Sequence, residues 1–154
     1  MNNSINARIH QLELLAGSGE IEKLRKVLGT NFSQEEIDIA LVSAIAYSKI
    51  ETAKFLISLG ADISYHDYEG VYYAVHNDEL EGLKFSISLG VDINVNNGML
   101  LNTSIETVIN SKNNEILQYL LDNGADLKLL SRRSQELVQD YGSTDLKKII
   151  FEKG

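Results

Sequence analysis

Hydrophobic residues in the middle of the chain recur in short runs, and each run ends at a glycine: Gly60, Gly90 or Gly124. Within a run the apolar side chains follow helical spacing, three or four positions apart, rather than the alternation of a strand. An acidic residue opens each run, where it faces the free N–H groups of a first helical turn, and the glycine can close the last turn in the left-handed conformation. The pattern predicts three short helices, over residues 51–59, 81–89 and 115–123.

Another helix is predicted ahead of each of these, over residues 36–47, 67–77 and 103–111. Ser33 and Thr103 each lie three residues before a glutamate, which is the spacing of a capping box, and Asp67 is predicted to cap the middle helix. Helices of about ten residues are marginal alone, because nucleation costs more than so few hydrogen bonds return. The helix pairs are therefore expected to stack in a row, each covering the apolar face of its neighbour.

The segment after each glycine repeats as well, as G-A-D-I at 60–63, G-V-D-I at 90–93 and G-A-D-L at 124–127. Glycine supplies backbone freedom there, and the aspartate is predicted to close the turn through its side chain. The aliphatic residue that follows is predicted to reach the core.

These helix pairs, the G-A-D-I turn and a period of roughly 33 residues resemble ankyrin repeats. The stretches that carry the resemblance are L-E-L-L-A-G-S-G-E-I-E at 12–22, L-V-S-A-I-A-Y-S-K-I-E at 41–51, V-Y-Y-A-V-H-N-D-E-L-E at 71–81 and I-E-T-V-I-N-S-K-N-N-E at 105–115. The resemblance implies an all-α fold, an ankyrin-repeat solenoid of about five stacked helix pairs with short or irregular finger loops. It implies a single domain over residues 1–154, with units near 4–31, 33–62, 66–92, 101–126 and, as a C-terminal cap, 131–152.

The loops depart from the family pattern. The chain contains no proline, so the T-P-L-H phrase of the family is absent, and only Thr103 keeps its first letter. The unit that runs from Gly60 to Gly90 is also shorter than the family period. Irregular fingers are expected for both reasons.

Composition and charge narrow the possible functions. The chain has no cysteine, which excludes disulfides and thiolate chemistry. The formal net charge of −8 argues against nucleic-acid binding, which would need a basic face. The acidity is concentrated in residues 62–126, which carry eleven Asp or Glu against Lys84 and Lys112, whereas residues 128–154 are slightly basic. The chain has no apolar stretch long enough for a membrane span, and we expect a cytoplasmic protein.

No local signature of catalysis is present: there is no nucleophile beside a base, no paired carboxylates and no glycine-rich phosphate loop. The sequence therefore predicts a protein that is not an enzyme and uses no cofactor or metal. His66 and His76, with aspartates nearby, are the best candidates for a metal or acid–base site, but their spacing favours polar surface residues. Arg132 and Arg133 could hold a phosphate, although paired basic residues on a terminal loop are usually just solvated.

Helical geometry separates two faces of the segment 67–77. Val71, Ala74 and Val75 form one stripe, which is predicted to be buried, while the aromatic and acidic residues fall on a different face. Tyr68 and Tyr72 are expected at the surface, and Tyr73 lies either at the surface or against the next unit.

The family resemblance implies that the finger tips and the first helix of each pair bind other proteins. On the helices, the binding residues would be Tyr47, Tyr72, His76, Asn77, Asn110 and Ser111. In the fingers, they would be His66, Tyr68, Glu69, Asn96, Asn97 and Met99.

An acidic rim around aromatic anchors suits a protein partner with a basic surface. We expect no nucleic-acid or membrane partner and a monomer in isolation. By analogy of type, the chain is similar to ankyrin-like immunity proteins, or antitoxins, of bacterial toxin systems, which inhibit a toxin domain by covering it. A generic scaffold or regulatory adaptor is the alternative.

Overall fold

Helices are the regular elements of residues 2–152, the part of the chain that the computed structural model describes. The α-helices are α1 (Asn2–Gly17), α2 (Ile21–Leu28), α3 (Gln34–Ala46), α4 (Ile50–Ser58), α5 (Tyr65–His76), α6 (Leu80–Ser88), α7 (Val95–Ser111), α8 (Glu115–Asp122), α9 (Arg132–Tyr141) and α10 (Thr144–Lys147). A 3-10 turn, Leu127–Leu129, follows α8, and a π-helical turn, Lys148–Glu152, follows α10. The predicted all-α class is confirmed, since this range contains no strand.

The even-numbered helices α4, α6 and α8 start and end within one residue of the prediction. Their first turns carry the expected glutamates, Glu51, Glu81 and Glu115. Their last turns are followed by glycines at positive φ, namely Gly60 (101°), Gly90 (98°) and Gly124 (97°). After α4, the N–H groups of Gly60 and Ala61 donate to carbonyls of the last turn at 2.9 and 3.1 Å, which is the bond pair of a Schellman motif. The same pair of bonds follows α6 and α8.

The turn after each glycine is closed by its aspartate, as predicted. Asp62, Asp92 and Asp126 each accept a hydrogen bond from the backbone N–H two residues later, at 2.9 Å in all three cases. At Asp62, the bonds from the Ser64 backbone N–H and hydroxyl hold the pKa of the carboxyl below its usual value.

Packing follows the order of the chain. The odd-numbered helices contact one another in succession, α1 on α3, α3 on α5, α5 on α7 and α7 on α9, and each also packs on the helix that follows it. Buried aliphatic residues form three groups: one spans α1–α4 and includes Ala74 of α5, one lies within α5–α8, and one spans α7–α10 and the π-helical turn. Each helix pair therefore covers apolar side chains of the next.

Two of the predicted helix starts are wrong. The right-handed part of α5 runs from Glu69 and that of α7 from Met99, so the expected start at 67 lies in a left-handed turn and the one at 103 lies inside α7. Thr103 Oγ1 donates to the Met99 carbonyl at 2.7 Å within α7, and it caps no helix. Asp67 has a φ of 55° and does not cap α5. By contrast, the capping box between Ser33 and Glu36 is confirmed at the start of α3.

The physical reason is a left-handed turn after the first residue of both helices. In α5 it comprises His66–Tyr68, with φ of 48°, 55° and 66°, and in α7 Asn96–Gly98, with φ of 52°, 57° and 88°. Asn96 Nδ2 joins the two turns by donating to the Asp67 carbonyl at 2.8 Å. These turns occupy the positions at which fingers were expected.

Candidate functional site

A groove with a volume of about 520 Å³ lies where α1, α3 and α5 meet. Its lining is rich in aromatic rings, and no lysine or arginine is part of it. The acidic residues that line it are Glu13 of α1 and Glu69 of α5. The groove therefore combines ring faces with negative charge.

The C-terminal half of α5 forms one wall of this groove. The predicted buried stripe of α5 is confirmed, since Val71, Ala74 and Val75 are fully buried. Tyr73 and His76 are consequently left on the groove side, with Tyr73 38% exposed. The ring of His76 stacks on Tyr72, with 5.8 Å between the ring centroids, and meets Tyr73 edge-on at 6.3 Å. These ring contacts support the exposed face of Tyr73.

The left-handed turn at the start of α5 forms the acidic end of the groove. The rings of Tyr65 and His66 stack at 4.0 Å between centroids, and His66 Nδ1 lies 3.2 Å from Glu69 Oε2. Burial raises the pKa of the Tyr65 hydroxyl, and the negative charges of Glu35, Glu69 and Asp38 raise it further. The same carboxylates favour a cation at this end.

Tyr47 lies at the end of α3, on the side of the groove near α1. Its side chain is 52% exposed, and its ring lies over Gly17, where an added Cβ would stand 3.1 Å from Tyr47 Cδ2. Nearby, Asn77 Nδ2 donates to the Ala46 carbonyl at 3.1 Å, which ties the end of α5 to the end of α3. The absence of a side chain at Gly17 therefore makes room for the ring.

Five of the twelve predicted binding residues line the groove: Tyr47, His66, Glu69, His76 and Asn77. The other seven do not: Tyr68, Tyr72, Asn96, Asn97, Met99, Asn110 and Ser111. Tyr68 and Tyr72, which were expected at the surface, are both half-buried. Tyr68 packs on the core group of α5–α8, where the left-handed turn directs it. Asn110 lines a separate pocket of about 380 Å³ between α7 and α9, together with Arg133 and Tyr141.

Glu13, Tyr65 and Tyr73 line the groove but were not among the predicted binding residues. Helical spacing did place Tyr73 on the unburied face of α5, so the signal for it was present in the sequence. Tyr65 was not predicted as a binding residue, because it was expected to lie in a turn before the helix of residues 67–77. Glu13 belongs to the first unit, and its approach to α3 and α5 is a consequence of tertiary packing.

Arg132 and Arg133, the candidates for holding a phosphate, both have acidic neighbours. Arg132 Nε lies 3.0 Å from Glu136 Oε1, and an Arg133 guanidinium nitrogen lies 3.6 Å from Glu106 Oε1. Over residues 2–152, no three His, Asp or Glu side chains come together in a way that could hold a metal ion. Over the same range, no helix is long and apolar enough to cross a bilayer.

Comparison with protein-family models finds none that matches this chain, and comparison with curated proteins likewise finds no match.

Proposed function

We propose that the chain is a non-catalytic protein-binding module that holds a basic surface of its partner in the groove between α1, α3 and α5. The observation that carries the proposal is the lining of that groove, where tyrosine and histidine rings lie beside Glu13 and Glu69 without any lysine or arginine. Aromatic residues with polar tips are frequent anchors of protein interfaces. Complementary charge speeds encounter and sets orientation, which favours a cationic partner.

The proposal includes the finer architecture, an ankyrin-repeat solenoid. Support comes from the succession of helix pairs, in which each odd-numbered helix packs on the next. The three aspartate-closed turns give further support, because they recur at the same point of each unit. In ankyrin repeats the first helix of each pair contributes to the binding face, and the groove is lined by three such helices.

The specific role we propose is inhibition. In this role the chain acts in a bacterial cytoplasm as an immunity protein that covers the active or substrate-binding surface of a basic toxin domain. The net charge of −8 and the acidic stretch 62–126 support a cationic target. The inhibitory role itself rests on analogy of type, and a scaffold or adaptor role is the alternative outcome of its test.

Affinity capture from the native cell, followed by co-expression, tests this role. The expected result is a captured protein that kills cells when expressed alone and is harmless when this chain is present. The double variant Tyr47→Ala/Tyr73→Ala should lose both capture and rescue, because it removes two exposed rings of the groove. Tyr141→Ala is the matched control, since Tyr141 is 70% exposed and lies outside the groove.

Other outcomes separate the parts of the proposal. A captured protein that does not affect growth would indicate an adaptor. Capture that is unchanged in the double variant would exclude the groove as the binding site. Added salt should weaken the complex, and a complex that salt strengthens would contradict a basic partner.

A further inference from the structure

We infer that the groove receives an arginine side chain of the partner, with the guanidinium held between tyrosine rings and glutamate carboxylates. This inference rests on the proposed protein-binding function and names the chemistry of its central contact. It follows from the rings, the carboxylates and the absence of lysine and arginine from the groove lining.

The rings offer open faces to a planar cation. Tyr47 and Tyr73 are 52% and 38% exposed, and both line the groove. The edge-on contact with His76 at 6.3 Å supports the Tyr73 ring, while the absence of a side chain at Gly17 lets the Tyr47 ring lie over α1. A cation over the face of a tyrosine is attracted by the negative charge of the ring.

The Glu69 carboxylate lies beside Tyr65 and His66 at one end of the same space. Glu69 Oε2 is 3.2 Å from His66 Nδ1, which orients that carboxylate. The raised pKa of Tyr65, caused first by burial and then by the charges of Glu35, Glu69 and Asp38, indicates a field that disfavours an anion here. A field of this sign favours a cation in the groove.

The groove lining contains neither a lysine nor an arginine that would compete with a partner's side chain for the carboxylates. Arginine fits better than lysine for a physical reason. A guanidinium is planar, stacks on aromatic rings and donates several hydrogen bonds in a fixed geometry, whereas an ammonium is a compact and strongly hydrated charge. A groove that offers both rings and carboxylates therefore prefers a guanidinium.

The test is an NMR titration of the intact chain with the peptide acetyl-Gly-Arg-Ser-Arg-Gly-amide. The matched peptides carry lysine, or the uncharged arginine analogue citrulline, in place of arginine. We expect saturable shifts at Tyr65, Tyr73 and His76 with a dissociation constant of about 1 mM or lower. The lysine peptide should bind more weakly, and the citrulline peptide should not saturate.

Variants locate the site on the protein. Glu69→Gln and Tyr73→Ala should each weaken the arginine peptide about five- to tenfold, while Tyr73→Phe, which keeps the ring, should bind as well as the wild type. Glu136→Gln is the control, because Glu136 is a glutamate in an ion pair outside the groove. Circular dichroism checks that each variant is folded.

The inference is overturned if the citrulline or lysine peptide binds as tightly, or if the shifts concentrate away from the groove. Its failure can be told apart from failure of the proposed function. If the arginine peptide does not bind but Tyr47→Ala/Tyr73→Ala still abolishes capture of the partner, the arginine contact is wrong and the binding function stands. If the peptide binds in the groove but the double variant captures the partner normally, the proposed function is wrong.

Discussion

Lys112 ends α7 in the left-handed conformation, with a φ of 61° and a ψ of 20°. Its N–H donates to the Val108 carbonyl at 2.8 Å, so this backbone geometry closes the helix. A residue with a Cβ is strained in this conformation, and glycine is not. At the corresponding end of α1 the chain has Gly19, with a φ of 74°. The end of α7 is therefore closed by a residue type that its geometry does not favour.

Lys112→Gly should raise the free energy of unfolding by about 0.5–1 kcal/mol, because it removes this strain. Chemical denaturation is the measurement. Lys112→Ala is the control, since it removes the same exposed charge but keeps a Cβ, and its stability should not exceed that of the wild type. Equal stabilities of the glycine and alanine variants would show that the left-handed residue is not strained.

Glu36 ties α3 to α1 through an ion pair with Arg8 and closes the capping box with Ser33. Burial alone raises the pKa of Glu36, but the hydrogen bonds from Arg8 and from the Ser33 N–H outweigh it and lower the pKa below its usual value. A carboxyl with a lowered pKa stabilises the fold above its unfolded-state pKa of about 4.3, and that stability is lost as the pH falls through the folded-state value.

Glu36→Gln should therefore lower the stability at pH 7 by about 1 kcal/mol, since it loses the ion pair but can still complete the capping box. In acid, below the folded-state pKa of Glu36, the stabilities of variant and wild type should converge. Urea denaturation at pH 7 and in acid measures the difference. Glu35→Gln is the control for the helix dipole, because Glu35 lies in the same first turn. A deficit that persists undiminished in acid would contradict the role assigned to the Glu36 charge.

At the scale of the element, α6 depends on a close approach to α3. A Cβ added to Gly82 would lie 2.3 Å from the Ile45 carbonyl oxygen, which is backbone and cannot turn aside. The Gly82 N–H also donates to Ser48 Oγ at 2.8 Å, and a shift of α6 away from α3 would strain this hydrogen bond. The equivalent residue of α4 is Thr52, so the requirement for glycine belongs to α6.

Gly82→Ala should destabilise the protein by about 1–3 kcal/mol, although alanine in an isolated helix is more favourable than glycine by about 1 kcal/mol. The sign of the change therefore reports the contact with α3. Thermal or urea unfolding measures it, and Ser88→Ala at the exposed end of α6 is the control. A stabilised Gly82→Ala variant would mean that α6 and α3 are farther apart than described.

Local signals explain which elements could be predicted from the sequence. Helices α4, α6 and α8 were predictable because their ends are set by residues in their first and last turns, such as Glu81 and Gly90. The starts of α5 and α7 were not, because the left-handed conformation of Tyr68 opposes its own preference and is compensated by packing on the core of α5–α8. In the left-handed turn of α7, a Cβ at Gly98 would stand 2.7 Å from Leu129 Cβ. This is a contact between units, which no local sequence pattern reveals.

The candidate site follows the same division. The free face of α5 could be predicted from helical spacing, which separates Tyr73 and His76 from the buried stripe. The groove as a whole could not, because it depends on which helices meet. Glu13 and Tyr47 belong to different units, and packing brings them to one lining.

At the scale of the molecule, burial differs between α3, an inner helix of the row, and the C-terminal helices. α3 buries seven of its residues and packs on α1, α4, α5 and α6. α9 buries only Ser134 and Val138, and α10 is four residues long. In a row of units stabilised by nearest neighbours, local stability follows local burial. The most buried of these helices, α3, lines the groove.

Native-state hydrogen exchange should therefore find that the amides of α9 and α10 open at a free energy lower than those of α3, by about 2 kcal/mol or more. Val138→Ala sharpens the test, because it shortens a fully buried side chain in the group of α7–α10. It should lower the protection of α9 and leave that of α3 nearly unchanged, since contacts between units reach only the neighbouring pair. If the protection of α3 fell equally, the chain would unfold as one cooperative unit, and the groove would depend on the stability of the distant C-terminal helices.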